Sequence, residues 1–172
     1  PMKPLYILKI GGSVATYKDR PGISVRTELL RKIARAIKKA QAQKDFDLIL
    51  IQGAGSAGHQ LVKKYNLNSG TDGDKKKINR ALRICNAIQK LDNMIFEIFI
   101  SCGMNIFPIH TASTIIQKNK KILHFPTRLI SDSFQNNCIP VLYGEMVFDT
   151  ELGMSPCSGD AIASLLAKKF RA

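Results

Sequence analysis

Lys9 stands just ahead of the glycine pair Gly11-Gly12 and Ser13, and about forty residues later comes a second glycine-bearing turn, Gln52-Gly53-Ala54-Gly55-Ser56-Ala57-Gly58-His59. Each turn follows an apolar run, and the second opens into a helical pattern. Glycines at the junction of a strand and a helix leave backbone N–H groups bare beside the positive end of the helix dipole, an arrangement that holds phosphate. A lysine at the end of the first strand can neutralise charge on a phosphoryl group as it transfers. His59, in the first turn of its helix, can donate to a phosphate or move a proton. Two such turns in one chain point to a protein that brings two phosphorylated ligands together.

Each of these features has a plainer reading. Lys9 can be a strand-end lysine reaching solvent, and His59 a capping or partly buried histidine. Gly53-x-Gly55-x-x-Gly58 has the form of a dinucleotide fingerprint, with Asp72 or Asp74 at about the distance of a ribose-binding acid. That fingerprint belongs to an opening strand–helix–strand unit, however, whereas this loop follows the second strand and the acids lie in a polar turn. The spacing therefore weighs against NAD and leaves a tight structural turn as the alternative to a phosphate cradle. Ser158-Gly159-Asp160 before an apolar helix is at minimum an N-terminal helix signal, and on local sequence the cap reading prevails. His110 and His124 have no comparable context.

The elements that must position these residues read as an α/β domain. Leu5 to Ile10 and Asp47 to Gln52 are short apolar runs ended by glycine turns, hence buried strands. Between them Thr27 can cap a helix over Glu28 to Gln43, with Leu29, Leu30, Ile33, Ala34 and Ile37 at helical spacing. Strand, helix and strand imply a parallel pair joined by a right-handed crossover. A helix is expected from about Gly58 to Tyr65, then a polar turn from Asn66 to Asp74. Lys76 to Cys102 reads as one long helix with Ile78, Leu82, Cys85, Ile88, Leu91, Ile95 and Ile98 inward. Further strands are expected at Asn105–Ile109, Ile139–Tyr143 and Met146–Asp149. Helical segments are expected at Ser113–Gln117, at His124–Phe134 and after Ser158. The expected fold class is a three-layer αβα sandwich with a mainly parallel central sheet, formed by residues 1–172 as a single domain.

The chain carries 26 Lys and Arg against 13 Asp and Glu, a formal net charge of +13. Nucleic-acid binding would call for aromatics interleaved among the basic residues, and Lys38-Lys39, Lys75 to Lys77 and Lys118 to Lys121 lack them. Those runs read as solvated helix faces and turns. No apolar stretch is long enough to span a bilayer. Four scattered cysteines without a C-x-x-C pair fit reduced thiols in a cytoplasm better than disulfides or zinc.

Taken in order, these segments resemble the amino acid kinase superfamily, and within it the isopentenyl phosphate kinases. The resemblance runs through Leu8-Lys9-Ile10-Gly11-Gly12-Ser13, Thr16-Tyr17-Lys18-Asp19 and Gly53 to His59. It continues through Pro140 to Asp149 and Ser158-Gly159-Asp160. The glycine loop closed by histidine separates this branch from carbamate, glutamate and uridylate kinases, while the fosfomycin kinases stand close to it. The resemblance implies ATP- and Mg2+-dependent phosphorylation of isopentenyl phosphate, or a similar small monophosphate, to the diphosphate. It assigns catalytic roles to Lys9, Lys18, His59 and Asp160, and nucleotide phosphates to Lys9, Gly11, Gly12, Ser13 and Gly55. It assigns substrate contacts to Ala54, Gly55, Gly58, His59, Gly144 and Gly159. The long middle helix and the segment from Ile106 to Ile116 would enclose the prenyl tail. Gln52 departs from a usual histidine, Ala57 from a phenylalanine and Glu145 from an aspartate. Family members also carry a further half that holds adenine and ribose, so this chain is expected to be the acceptor portion. A homodimer, or a partner chain that completes the nucleotide site, is expected to follow from that. The alternatives are a phosphate-ligand binding module, one part of a split kinase, or a fosfomycin kinase-like enzyme.

Overall fold

The structure is a computed structural model that describes residues 3–17 and 23–172. Its elements, in chain order, are β1 (Leu5–Ile10), α1 (Gly12–Ala15), α2 (Thr27–Gln43), β2 (Asp47–Gln52), α3 (Gly55–Lys64) and α4 (Lys75–Ser101). They continue with β3 (Ile106–Pro108), α5 (Thr111–Thr114), β4 (Ile116–Lys118), β5 (Lys121–His124) and α6 (Thr127–Gln135). The last four are β6 (Ile139–Tyr143), β7 (Glu145–Asp149), β8 (Gly153–Cys157) and α7 (Gly159–Phe170).

The main sheet has the order β1-β2-β6-β3, all parallel. Its two inner strands are buried almost throughout, as strands covered on both faces must be. Alternation in β2 sends Leu48 and Leu50 to a core shared with Leu30, Ala34 and Ile37 of α2 and with Ile84, Ile88, Leu91, Ile95 and Phe99 of α4. Ile49 and Ile51 point the other way, against Ile130 of α6 and Ile162 and Leu166 of α7. Two cores on the two faces of one sheet give the expected three layers. Among the described residues, no helix is long and apolar enough to cross a membrane.

The second sheet has the order β5-β4-β7-β8, and of its four strands only β7 matches an expected one. The expected helix at Ser113–Gln117 is a single turn, α5, followed by the strand β4. The expected segment from His124 is strand to His124 and helix only from Thr127. Pro126 explains the break, because the residue before a proline is pushed out of the helical region. β8 was missed because it carries Pro156. It lies at a sheet edge, where a missing N–H is tolerated.

Helix ends also shifted. Thr27 is the first residue of α2 rather than its cap, and the capping residue Arg26 makes no side-chain cap bond. Asp74 caps α4 instead, its carboxylate accepting from Lys76 N–H at 2.7 Å and Lys77 N–H at 3.0 Å. That assigns Asp74 a structural role. Leu82 was expected inside but is 53% exposed. The buried row runs Ala81, Ile84, Ile88, Leu91, Ile95 and Phe99, and Leu82 falls one position off it.

Asp149 ties the second sheet together. Its carboxylate accepts from the N–H groups of Asn119 (2.9 Å), Lys120 (2.7 Å), Glu151 (3.0 Å) and Leu152 (3.1 Å), and from the Ser155 hydroxyl at 2.8 Å. Burial works to raise this carboxyl's pKa, but the bonds from Lys120, Glu151, Ser155 and Asn119 outweigh it and hold the group below the usual carboxylate range. A lowered folded-state pKa stabilises the fold above the unfolded value near 3.8, and the stabilisation fades as pH falls through the folded value. Asp149→Ala should therefore cost about 3 kcal/mol in urea unfolding at pH 7, consistent with several charge-assisted bonds lost at once. The deficit relative to the unmodified chain should shrink steadily below pH 4.

Candidate phosphate site

The two glycine turns touch. Gly53 N–H donates to Ile10 carbonyl at 2.9 Å, which fixes the end of β2 against the end of β1. A Cβ built on Gly12 would lie 2.3 Å from the Gly55 Cα, and one on Gly53 would lie 2.9 Å from the Gly12 nitrogen. No side chain fits between these backbones. Over Gly11, by contrast, a Cβ would meet nothing within 4 Å. The first turn is thus pressed against the second on one side and open on the other.

Two more turns arrive at the same place from β6 and β8. Gly144 N–H donates to the Gln52 carbonyl at 3.0 Å. A Cβ on Gly144 would lie 3.1 Å from the Gly159 nitrogen and 3.6 Å from the Ala54 nitrogen. The Gly159 turn passes close to Lys9, with 3.7 Å between a Cβ at Gly159 and the lysine Cε. Lys9 Nζ donates to Asp160 Oδ1 at 2.5 Å, so the first strand's cation is held by the first turn of the last helix. Ser158 caps that helix by accepting from Ala161 N–H at 3.1 Å, as the local sequence indicated.

These groups open onto one cavity of about 370 Å³. Lys9, Ala54, Gly58, His59, Gly144, Gly159 and Asp160 all line it. Gly55 lies against Gly12, and Gly11, Gly12 and Ser13 stand outside the lining, with the open face of the first turn at Gly11. Lys18 falls outside the described residues. The cavity's apolar wall comes from Ile84 and Ile88 of α4, as expected, with Val62 of α3, Met146 of β7 and Pro156 of β8. None of residues 106–116 is part of that lining. That segment is fixed to β6 by Thr111, whose hydroxyl donates to the Tyr143 carbonyl at 2.6 Å.

An acidic pair that no sequence motif marks stands at this wall, with Glu145 itself part of the lining. Asp92 is buried on α4 with neither carboxylate oxygen bonded, and Glu145 Oε1 is also unpartnered. Glu145 Oε2 accepts from Ala112 N–H at 2.9 Å. Burial, then the neighbouring Glu145, pushes the Asp92 carboxyl up to about 9. Burial, against the Ala112 N–H and the Cys85 thiol, pushes Glu145 up to about 7. Cys85 itself is raised to about 12 by burial and by Glu145. Tyr143 is raised by burial and by the same acids, and its hydroxyl bonds His110 Nδ1. The pair therefore carries a proton near neutral pH and presents a largely uncharged wall. His110, read from sequence as an ordinary polar residue, is the surface end of this cluster.

The amino acid kinase family model matches residues 4–172. The chain belongs to that family. It is 33% identical to the isopentenyl phosphate kinase of Methanocaldococcus jannaschii, over 98% of this chain and 66% of that protein. It is 28% identical to the isopentenyl phosphate kinase of Methanothermobacter thermautotrophicus, over 92% of this chain and 60% of that protein. A solved isopentenyl phosphate kinase structure superposes with a TM-score of 0.89 at 26% identity, covering 97% of this chain and 68% of that one. The chain thus spans about two thirds of the length of the curated relatives it matches.

Two outcomes follow from this geometry. Gly12→Ala should destabilise the fold by about 2 kcal/mol, the cost of forcing backbones apart, while Gly11→Ala stays within about 0.5 kcal/mol of the parent in the same urea titration. The carboxyl pair has raised folded-state pKa values, so the folded chain keeps protons that the unfolded chain has released. Stability should fall as pH rises from about 4 toward 9, by about 1.4 kcal/mol per pH unit for each proton retained. Asp92→Asn should flatten that slope and be the more stable protein at pH 8.

Proposed function

We propose that this chain is the acceptor-binding portion of a small-molecule phosphate kinase that takes isopentenyl phosphate, or a similar monophosphate, to the diphosphate. The observation that carries the reading is the contact of Gly12 with Gly55, which sets the two glycine turns back to back beside a cavity that Lys9 lines. The relatives named isopentenyl phosphate kinase support the choice of acceptor.

On this reading the backbone at Ala54, Gly55 and Gly58 holds the acceptor phosphate, and His59 hydrogen-bonds it. Gly144 and Gly159 let the substrate approach closely, and the tail lies along Ile84, Ile88, Val62 and Met146. Lys9 bridges acceptor and donor phosphates, and Asp160 aims it. The open face of Gly11, with Gly12 and Ser13, fits a nucleotide phosphate, and Lys18 would assist the transferring group. Among the described cavity residues, Asp160 is the one exposed carboxylate and already holds Lys9, so a magnesium ion would ride mainly on the phosphates. Bound ATP with magnesium would supply the phosphoryl group. The chain's own part is positioning and charge neutralisation for in-line attack by an acceptor phosphate oxygen.

A second reading is favoured by the chain's match to only about two thirds of its relatives' length: a phosphate-ligand binding module, or one part of a split kinase. Pure protein given ATP, magnesium and isopentenyl phosphate should release ADP, with Lys9→Ala lowering the rate at least about 100-fold. Fosfomycin offered in place of isopentenyl phosphate tests the related resistance activity. Calorimetric binding of isopentenyl phosphate without turnover would favour the binding module. Neither binding nor turnover would sink the acceptor-site assignment.

A further inference from the structure

Glu145 opens β7 one residue after Gly144, whose backbone stands against Ala54 and Gly159 at the glycine turns. Its two carboxyl oxygens are in unequal situations. Oε2 accepts from Ala112 N–H at 2.9 Å, whereas Oε1 has no partner. The residue is only 3% exposed, yet it is part of the cavity's lining. Among the described residues, two other buried side chains carry unpartnered atoms, Gln52 at Nε2 and Asp92 at both oxygens. Neither of them lines the cavity. The orphaned polar group that borders the cavity is therefore Glu145.

The lining's other acid, Asp160, holds Lys9, and Ser158 caps α7. Beside Glu145 the wall is apolar, with Ile84 and Ile88 of α4, Met146 of β7 and Pro156 of β8. A buried carboxyl oxygen without a hydrogen bond has lost its water and gained nothing in return. A hydrocarbon tail laid over it keeps it so, while a tail with a hydroxyl supplies the missing bond. Small-ligand sites are commonly apolar with a few placed polar groups that set specificity. The donor that fits is uncharged. Facing Glu145 are the Ala112 N–H of α5, Cys85 and Asp92 of α4 and Tyr143 of β6, none of them a cation. Lys9, His59 and Lys63 line the same cavity, so an ammonium on the ligand would meet positive charge. Burial pushes Glu145 up to about 7, and a hydroxyl can donate to its carboxylate or accept from its acid form.

We propose that Glu145 is a specificity-determining residue whose Oε1 bonds a hydroxyl on the acceptor's tail, so that the preferred substrate class is a small hydroxyalkyl monophosphate. Glu145 follows Gly144 directly, and Gly144 touches the turn that would hold the phosphate, so the hydroxyl lies a few carbons from that phosphate. The hydroxyl's place rests on the monophosphate reading of the cavity proposed above. The phosphate cradle does not depend on the hydroxyl.

Calorimetry on the 172-residue chain compares isopentenyl phosphate with its hydrate, 3-hydroxy-3-methylbutyl phosphate. The hydrate should bind at least about tenfold more tightly, because the hydrocarbon analogue leaves a buried polar group unpaired. Glu145→Leu should reverse that order. Glu145→Gln, which keeps a donor and an acceptor at the site, should retain the preference for the hydrate. The comparison of the two ligands on the unmodified chain decides the matter even where a variant fails to fold. Equal affinities there, or tighter isopentenyl phosphate, would overturn the hydroxyl assignment and leave the acceptor site standing. A preference for the hydrate that survives Glu145→Leu would overturn the part given to Glu145. Binding of neither monophosphate would remove the acceptor site and the hydroxyl with it.

Discussion

Everything near the cavity depends on one steric constraint, the absence of any atom between Gly12 and Gly55. Because those backbones touch, the carboxyl ends of β1 and β2 are as close as two strands allow, and the turns that follow must diverge to opposite sides. One turn opens toward solvent over Gly11, and the other opens into the cavity. Lys9 is the side chain that lies between the two directions. The Gly144 and Gly159 turns then stack on Ala54 and Lys9 and close the fourth side. A larger residue at Gly12 would displace the whole corner by the width of a methyl group.

What could be read from the residues was whatever local rules govern. Buried strands β1, β2 and β6 announce themselves as short β-branched runs, α4 by its apolar spacing and α7 by its Ser158 cap. The glycine turns were legible because a strand–glycine–helix junction has few other uses. The second sheet apart from β7 was hidden, since its strands are three to five residues long and are made by pairing rather than by propensity. Ile116–Lys118 becomes a strand because Phe148 and Asp149 lie alongside it. Leu82 misled for a related reason: apolar character says that a residue wants cover, not which neighbour will supply it. The acidic pair was invisible, as nothing in Asp92's surroundings on the chain tells that its side of the helix faces Glu145.

That pair also shows how a polar group can stand in an apolar wall. Two carboxyls with no cation beside them keep a proton, and a protonated carboxyl is a modest dipole rather than a charge. The cost is unsatisfied hydrogen bonding at Asp92 and Glu145, tolerated because the surrounding Ile88, Leu91 and Phe96 are well packed. Contrast Asp149, which is charged, has five partners and knits the β4–β5 and β7–β8 hairpins into one unit. The same chemical group serves as filler in one place and as a fastener in the other.

The Lys9–Asp160 bond joins positions 151 residues apart, the first strand to the last helix. Loop closure over such a span comes only after the intervening layers have collapsed and shortened the effective path. A ribosome releasing this chain would therefore expose a finished main-sheet edge and both glycine turns well before Asp160 emerged. During that interval Lys9 would be a loose cation with no carboxylate to aim it. The aim of Lys9 is thus set by a late contact, one that waits on every layer folded between residues 9 and 160.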